Sequence, residues 1–143
     1  MNYIKTHGQE LETAYPYTAV TGTCKYSAAS GKVNVNTIAN VTPSSVAQLK
    51  AAIAQGPTSV TVEADTAVFQ QYTGGILNSK ACGTNLDHAI TAVGYGTSGT
   101  TDYYIVRNSW GASWGNAGYI NIAAVPGVGI CGIQQTSVWP TTN

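Results

Sequence analysis

The sequence predicts an α+β fold in which β-strands dominate and one main helix packs against the sheet. Five or six short runs rich in β-branched and aromatic residues are separated by Gly, Pro, Asn and Ser, as strands are. Only one stretch of good length has helical spacing of its apolar residues. A chain of 143 residues forms one domain or part of one. We therefore expect an antiparallel sheet, closed or strongly curled, with a helix against it.

The first segments predict a helix end, a connection and a strand. Met1–His7 has an apolar pair in mid-pattern and no cap, which is typical of the end of an amphipathic helix. We accordingly expect residue 1 to be an interior point of a longer chain. Gly8–Ala19 is predicted to be an extended connection, because Pro16 disfavours helical geometry at the residue before it. Lys32–Ile38 alternates apolar and polar residues, as a half-buried strand does.

The main helix is predicted between Thr42 and Gly56, with a length of about 12 residues. Thr42 is a candidate N-cap, and Pro43 suits the first helical position. Apolar residues then recur at helical spacing: Val46, Leu49 and Ile53.

Three short elements are predicted after this helix. Thr58–Ala64 alternates as a strand does, and Asp65 can cap a turn of helix that ends near Tyr72. The pair Gly74-Gly75 then turns the chain into Ile76 and Leu77.

A β-hairpin is predicted in the centre of the remaining sequence. His88–Tyr95 and Tyr103–Asn108 are joined by a Gly/Ser/Thr loop centred near residue 98. This loop would pair residues whose numbers sum to about 196, so that His88 faces Asn108 with Cβ atoms roughly 4.5–5.5 Å apart. A base oriented by a fixed acceptor is part of a nucleophilic-catalysis site, which still lacks its nucleophile. Further strands are predicted at Gly118–Ile122 and Gln134–Trp139.

Composition excludes several functions. Six basic and six acidic side chains give a formal net charge of zero, so nucleic acid and anionic membranes are not expected partners. No run approaches the roughly 18 apolar residues of a membrane span. The phosphate-binding pattern GxxxxGK[ST], CxxC pairs and HExxH are absent from the sequence, and we predict neither a cofactor nor a metal.

Two long motifs resemble papain-like cysteine peptidases of the cathepsin L/papain family. LDHAITAVGYG is similar to the family's His region, and YYIVRNSWGASWG is similar to its Asn region. The similarity extends to YPYTA, CKY, GPTSVTVEA, YTGGI and GICGI. The resemblance implies that residues 21–143 form the β-rich, barrel-like right-hand domain of the fold. It also implies that residues 1–20 are the tail of the left-hand domain and the crossover segment.

The catalytic Cys of this family is not expected in this sequence. It lies roughly 130–150 residues before the His, which counted back from His88 falls before residue 1. Neither Cys24, Cys82 nor Cys131 has the surroundings of that Cys, and the family's oxyanion Gln is also absent. We expect the chain to carry the His/Asn part of the site and to be inactive alone.

The resemblance implies a role for each residue around His88. His88 would accept the thiol proton and Asn108 would orient the imidazole ring. Trp110 would cover the hydrogen bond between them, Trp114 would wall the leaving-group side of the cleft, and Asp87 would support His88. The alternative for both Trp residues is core packing.

The resemblance also implies a disulfide and a specificity pocket. Cys82 would pair with Cys131, and Cys24 would bridge to the absent left-hand part; the alternative is three small buried apolar residues. The positions that resemble the S2 pocket walls carry no carboxylate, which favours a branched aliphatic or modest aromatic P2 side chain over a basic one. These positions, which could also be ordinary core residues, are Thr61, Leu86, Ala89 and Thr136.

The function predicted from the sequence is that of a cysteine-type endopeptidase. Its partners would be peptide or protein substrates, and inhibitor or propeptide proteins. The low charge content suits a lysosomal, vacuolar or secreted protein. The alternative is a non-catalytic papain-fold module that binds a peptide or protein partner; such a module would cover the apolar wall near His88 that a peptidase half exposes.

Overall fold

The structure is a computed structural model that describes residues 1–142. Asn143, the last residue of the predicted domain 21–143, lies outside the described residues. The helices are α1 Asn2–His7, α2 Val46–Gln55 and α3 Ala67–Gln70. The strands are β1 Val35–Asn40, β2 Thr58–Val62, β3 Ile76–Leu77, β4 His88–Ser98, β5 Thr101–Arg107, β6 Tyr119–Ala123 and β7 Ser137–Thr142. The predicted fold class, mainly sheet with few helices, is confirmed.

The chain forms two compact units. One comprises Met1–Ala39 together with residues 140–142, and the other comprises Asn40–Trp139. The first contains α1, which lies where the sequence predicts a helix end, and most of β1. The second contains α2, α3 and the central strands. The division that the resemblance implies after residue 20 stays a prediction.

The strands form one sheet in the order β1-β7-β2-β4-β5-β6-β3. The pairs from β7 through β6 are antiparallel, whereas β3 runs parallel to β6. Within residues 1–142, β1 and β3 end this order and do not pair with each other. The sequence pattern shows which residues form strands but not which edges meet, because pairing depends on turns and crossovers.

The core lies on one face of the central strands. Alternate residues of β2, β4, β5 and β6 are buried, as the period of two requires. Leu49 and Ile53 of α2 pack into the same cluster, together with Phe69 of α3. Within residues 1–142, every helix is too short or too polar to cross a membrane.

Helix α2 begins later than the sequence predicts. Its N-cap is Ser45, whose hydroxyl accepts a hydrogen bond from the Gln48 N–H at 3.3 Å. The predicted cap at Thr42 is wrong because Ser44 has a positive φ of 57° and turns the chain before the helix starts. Ser45 is thus the first residue that offers a side-chain oxygen to the free N–H groups of the first turn.

The hairpin register also differs from the prediction. The turn lies at Gly99-Thr100, Thr91 pairs with Arg107, and the ladder shifts between Ala92 and Gly94. His88 is therefore not opposite Asn108, because the turn is centred about one and a half residues later than predicted and the bulge at Val93 recovers only part of that offset. The same register, extended past the end of β5, sets His88 opposite Trp110.

Candidate active site

His88 and Asn108 form a hydrogen bond despite the changed register. The distance from His88 Nε2 to Asn108 Oδ1 is 2.8 Å. His88 is the first residue of β4, and Asn108 directly follows β5. Diagonal neighbours in an antiparallel pair lie roughly 7–8 Å apart, within reach of two long side chains. The prediction that these two side chains meet is confirmed, although the pairing on which it was based is wrong.

The hydrogen bonds of Asn108 fix the proton on the His88 ring. Asn108 Oδ1 also accepts the Ser109 backbone N–H at 2.7 Å, so the atom in this position must be an oxygen. His88 Nε2 must then donate to it, and a neutral ring carries its lone pair on Nδ1. Within residues 1–142, no group hydrogen-bonds to Nδ1. The imidazole is thus held with its basic nitrogen available.

The backbone around Asn108 holds the amide in place. The Asn108 N–H donates to the Gly118 carbonyl at 2.9 Å, which ties the end of β5 to the start of β6. Asn108 is 8% exposed, and its Nδ2 is buried without a partner among the described residues. An amide rotated by half a turn would set Nδ2 against the Ser109 N–H, which can only donate, so the observed orientation is the one the site permits.

Aromatic rings surround the imidazole. The Trp110 ring stacks on the His88 ring, with centroids 5.2 Å apart and planes at 30°. The Phe69 ring of α3 forms edge-to-face contacts with both rings, with its centroid 6.4 Å from that of His88 and 5.6 Å from that of Trp110. Trp110 itself is 40% exposed. One side of the His88 ring is therefore shielded from water by Trp110.

Trp114 lies in the same cluster, and the core packing given as its alternative role is observed, whereas its role as a cleft wall stays a prediction. Its ring stacks on Phe69 at 5.2 Å, and its Nε1 donates to the Gln70 carbonyl at 3.0 Å. Tyr72 lies beside it at 5.8 Å. Sequence reasoning gave Phe69 and Tyr72 no place at the site. The sequence does place Phe69 and Tyr72 three residues apart in a predicted helical turn, and this spacing sets both side chains on one face.

Asp87 connects the end of β2 to the start of β4. Its carboxylate accepts the N–H groups of Ala64 at 2.8 Å and Asp65 at 3.2 Å, and its own N–H donates to Val62 at 3.1 Å. Asp65 was predicted to cap α3, but Thr66 occupies the cap position and forms no side-chain cap bond. The Asp65 N–H is instead part of the Asp87 site.

Glu63, which directly follows β2, binds the backbone that precedes β4, just as Asp87 binds the backbone that follows β2. Its carboxylate accepts the Asn85 N–H, and its own N–H donates to the Cys131 carbonyl at 2.9 Å. The segment that leads into His88 is therefore held by two carboxylates, one directly after β2 and one directly before β4. The sequence indicated no role for Glu63.

The disulfide between Cys82 and Cys131 is present. Both residues are almost fully buried, and they close a separation of 49 residues, which the chain-entropy model converts to roughly 4 kcal/mol. Cys24 is a free, exposed cysteine of the other unit, so the alternative of three buried apolar residues is wrong. Both cysteines of unit Asn40–Trp139 are oxidised, and neither can act as a nucleophile there.

Three of the four predicted pocket residues come together. Thr61 pairs with Ala89 across β2 and β4, and its hydroxyl donates to the Thr136 carbonyl at 3.1 Å. Leu86 is half-buried and packs over Gly132. Among residues 1–142, no cluster of three or more His, Cys, Asp or Glu side chains could hold a metal ion.

The fold and this geometry define a class of protein, namely a β-rich protein in which an amide oxygen orients a histidine. A base oriented by a third group in this way is typical of sites that activate a nucleophilic side chain. A family profile described as "Papain family cysteine protease" matches residues 1–141. The chain belongs to the papain family of cysteine proteases.

Known proteins similar to the chain include plant and animal proteases. Papaya proteinase 4 of Carica papaya is 42% identical over all of the chain, and a cathepsin L-like proteinase of Fasciola hepatica is 42% identical over 96% of it. The chain spans 42% of the length of each. Bromelain of Ananas comosus, solved in complex with the E64 inhibitor, is 40% identical with a TM-score of 0.90, covering 98% of this chain and 66% of that one.

Proposed function

We propose that this chain supplies the histidine and asparagine of a cysteine-type endopeptidase whose thiol lies outside these 143 residues. The observation that carries the proposal is the 2.8 Å bond from His88 Nε2 to Asn108 Oδ1, which leaves Nδ1 as the base. A neutral amide suffices as the orienting group, because a thiol loses its proton far more readily than a serine hydroxyl. Without the thiol, the chain alone hydrolyses no peptide.

In the proposed reaction, His88 Nδ1 takes the proton from the thiol and forms a thiolate–imidazolium pair. Asn108 Oδ1 keeps its bond to Nε2–H in both charge states of the ring. The thiolate attacks the peptide carbonyl, and the imidazolium returns its proton to the leaving amine. Water, deprotonated by the same nitrogen, then hydrolyses the acyl-thioester.

Two neighbours position His88 in this proposal. Trp110 excludes water from the His88–Asn108 bond, because its ring lies against the imidazole. Asp87 fixes the start of β4 through its bonds to Ala64 and Asp65. Trp114, braced on Gln70, would form the cleft wall on the leaving-group side.

We propose that Thr61, Leu86, Ala89 and Thr136 line the pocket for the P2 side chain. The contact between Thr61 and Thr136 supports this, since it brings two strands of the set together. A Leu at P2 should give a kcat/KM at least about tenfold above that of Arg, because the pocket lacks a carboxylate to pair a buried charge. Equal rates for matched Leu and Arg peptides would contradict this assignment.

The proposed location is a lysosome, a vacuole or the exterior. The Cys82–Cys131 disulfide supports an oxidising compartment. Proteins that bind papain-like enzymes as inhibitors or propeptides are proposed partners. A solved structure of the ragweed pollen protease Amb a 11 in its proform, 29% identical with a TM-score of 0.92, shows such a proform for that protein.

The test compares variants of the native-length protein on a fluorogenic Leu-Arg peptide. His88→Ala should lower kcat/KM by about 10²–10⁴-fold, as the loss of a general base does. Asn108→Ala should lower it by about 10–100-fold, the equivalent of one hydrogen bond to a charged group. His7→Ala is the matched control, because His7 is the other histidine and is exposed. The thiol-directed inhibitor E-64 should abolish the activity.

Two outcomes contradict the proposal. Hydrolysis by the 143-residue chain alone would show that no outside thiol is needed. A native-length protein that hydrolyses no peptide would favour the non-catalytic module that binds a peptide or protein partner.

A further inference from the structure

We propose that Asn40 is an N-glycosylation site. Of the Asn residues in the sequence, only Asn40 is followed two positions later by Ser or Thr, in the tripeptide Asn40-Val41-Thr42. This pattern is the acceptor for N-linked glycans when the middle residue is not Pro.

The backbone presents the two recognised side chains on the same face. Asn40 is the last residue of β1, and the chain continues extended through Val41, whose N–H donates to the Ser137 carbonyl at 3.0 Å. Val41 is half-buried and packs against the core, whereas Asn40 and Thr42 are exposed. Side chains alternate along an extended chain, so Asn40 and Thr42 both point away from the core.

The acceptor amide is not used by the fold. Within residues 1–142, no hydrogen bond involves the Asn40 side chain or the Thr42 hydroxyl. This contrasts with Asn108, whose amide is buried and bonded to His88. Modification of Asn40 Nδ2 therefore breaks no contact that the structure contains.

The position also suits a bulky polar group. Strand β1 ends the sheet order, so its outer side is an edge without a partner among the described strands. Exposed edges can pair with other chains, and proteins commonly block them with charged or bulky groups. A glycan at the end of β1 would hinder such pairing.

The reaction is a glycosyl transfer from an oligosaccharide linked to a lipid diphosphate. Asn40 Nδ2 forms a bond to C1 of the first sugar and loses one proton to a base of the transferase. The bond between C1 and the diphosphate oxygen breaks, and the lipid diphosphate leaves. The inference depends on the oxidising, secretory compartment of the proposed function and not on the catalytic role of His88.

The test secretes the native-length protein from a eukaryotic host and compares its mass before and after treatment with peptide N-glycosidase. In the untreated wild-type protein, the peptide that contains Asn40 should be heavier by one core glycan, and peptide mapping should show Asn40 converted to Asp on release. Asn40→Gln and Thr42→Val should lack the glycan, whereas Thr42→Ser should keep it. Asn36→Gln is the matched control, since Asn36 lies exposed on the same strand outside the pattern.

An unmodified Asn40 in the secreted protein would overturn the proposal, as would a glycan that persists on the same peptide in Asn40→Gln. Unmodified Asn40 in protein from the native source would also overturn it. Peptidase assays on the same preparations separate this result from the proposed function. A protein glycosylated at Asn40 but without thiol-dependent activity would contradict only the proposed peptidase function. An active protein without a glycan at Asn40 would contradict only the proposed glycosylation.

Discussion

The decisive residue of the site is Asn108 rather than His88. A histidine on a strand has two possible tautomers, and only its partner determines which nitrogen is basic. Here the Ser109 N–H fixes the identity of the Asn108 oxygen, which in turn fixes the proton on His88 Nε2. The sequence motif predicted the pair but not this third contact, because a backbone donor leaves no signature in residue types.

In the loop after Asn108, Gly115 is the glycine at which a side chain would be most unfavourable. Its φ is +59°, and a Cβ there would lie 2.6 Å from the Tyr119 carbonyl. Gly115→Ala should lower the free energy of unfolding by about 2–5 kcal/mol, from the left-handed backbone and the clash together. Thermal unfolding of the purified protein measures this.

Gly99→Ala is the matched control for that variant. Gly99 has a nearly identical φ of +58° in the hairpin turn, but a Cβ there meets nothing within 4 Å. It should lower the free energy of unfolding by only about 1–2 kcal/mol. Equal losses for the two variants would show that the contact with Tyr119 does not constrain the loop.

At the scale of elements, the alternating patterns predicted the central strands and α2 well, whereas boundaries and register were wrong. β7 begins at Ser137 instead of Gln134, because the Gln134 side chain is buried and bonded within the loop that precedes the strand. α3 was predicted as a helical turn, but its contact with His88 through Phe69 was not. Contacts between elements distant in sequence depend on packing, which periodicity does not describe.

A buried polar network connects β5 to the loop before β7. Burial, with a contribution from the Asp102 charge, raises the pKa of Tyr104 well above its usual range, so its hydroxyl keeps the proton. It donates to Gln134 Oε1 at 2.8 Å, and Gln134 Nε2 donates to the Val125 and Gly127 carbonyls. The loop that carries Cys131 is thus fixed to the core by one side chain.

This network predicts non-additive effects in a double-mutant cycle. Gln134→Leu should cost about 1–3 kcal/mol of unfolding free energy, because it leaves the buried Tyr104 hydroxyl unpaired. Tyr104→Phe should cost about 1 kcal/mol. The double variant should lose less than the sum by about 1 kcal/mol, as measured by urea unfolding. Additivity to within about 0.3 kcal/mol would contradict the coupling.

An ion pair between α2 and the hairpin predicts a pH dependence of stability. Lys50 donates to Asp102, and Thr97 donates to the same carboxylate at 2.6 Å. The Lys50 hydrogen bond and then the Thr97 bond lower the pKa of Asp102 below its ordinary value. Because the folded pKa is the lower one, this stabilisation is present above about pH 4 and is lost as the pH falls through the folded pKa.

The measurement is the urea midpoint of the wild-type protein and of Asp102→Asn across pH. The difference between them should be constant above about pH 5 and should narrow as the pH falls below about 4, because the wild-type carboxyl is progressively protonated there. Thr97→Val keeps the ion pair between Lys50 and Asp102. Its urea midpoint should therefore differ from that of the wild-type protein by less than the midpoint of Asp102→Asn does. A difference that does not change with pH would contradict the role of the charged carboxylate.

At the scale of the molecule, sequence reasoning gave the fold class, the family and the His–Asn pair. It did not give the order of the strands in the sheet, since the placement of β3 and β1 at its ends follows from pairing. It predicted a supporting role for Asp87 but neither the role of Glu63 nor the hydrogen bonds by which these two carboxylates hold the entry to β4. Their partners are backbone N–H groups, which every residue other than proline carries, so side-chain patterns do not reveal them.

The central claim is that His88 activates a thiol carried outside this segment, and the rate of thiol alkylation tests it most directly. Iodoacetamide should modify one cysteine of the native-length protein rapidly near pH 6, where an ordinary thiol with a pKa of about 8.5 is almost fully protonated. His88→Ala should slow that modification by about 100-fold, while the extent of modification at Cys24, followed by peptide mapping, should be the same in both proteins. A rate unchanged by His88→Ala would contradict the account.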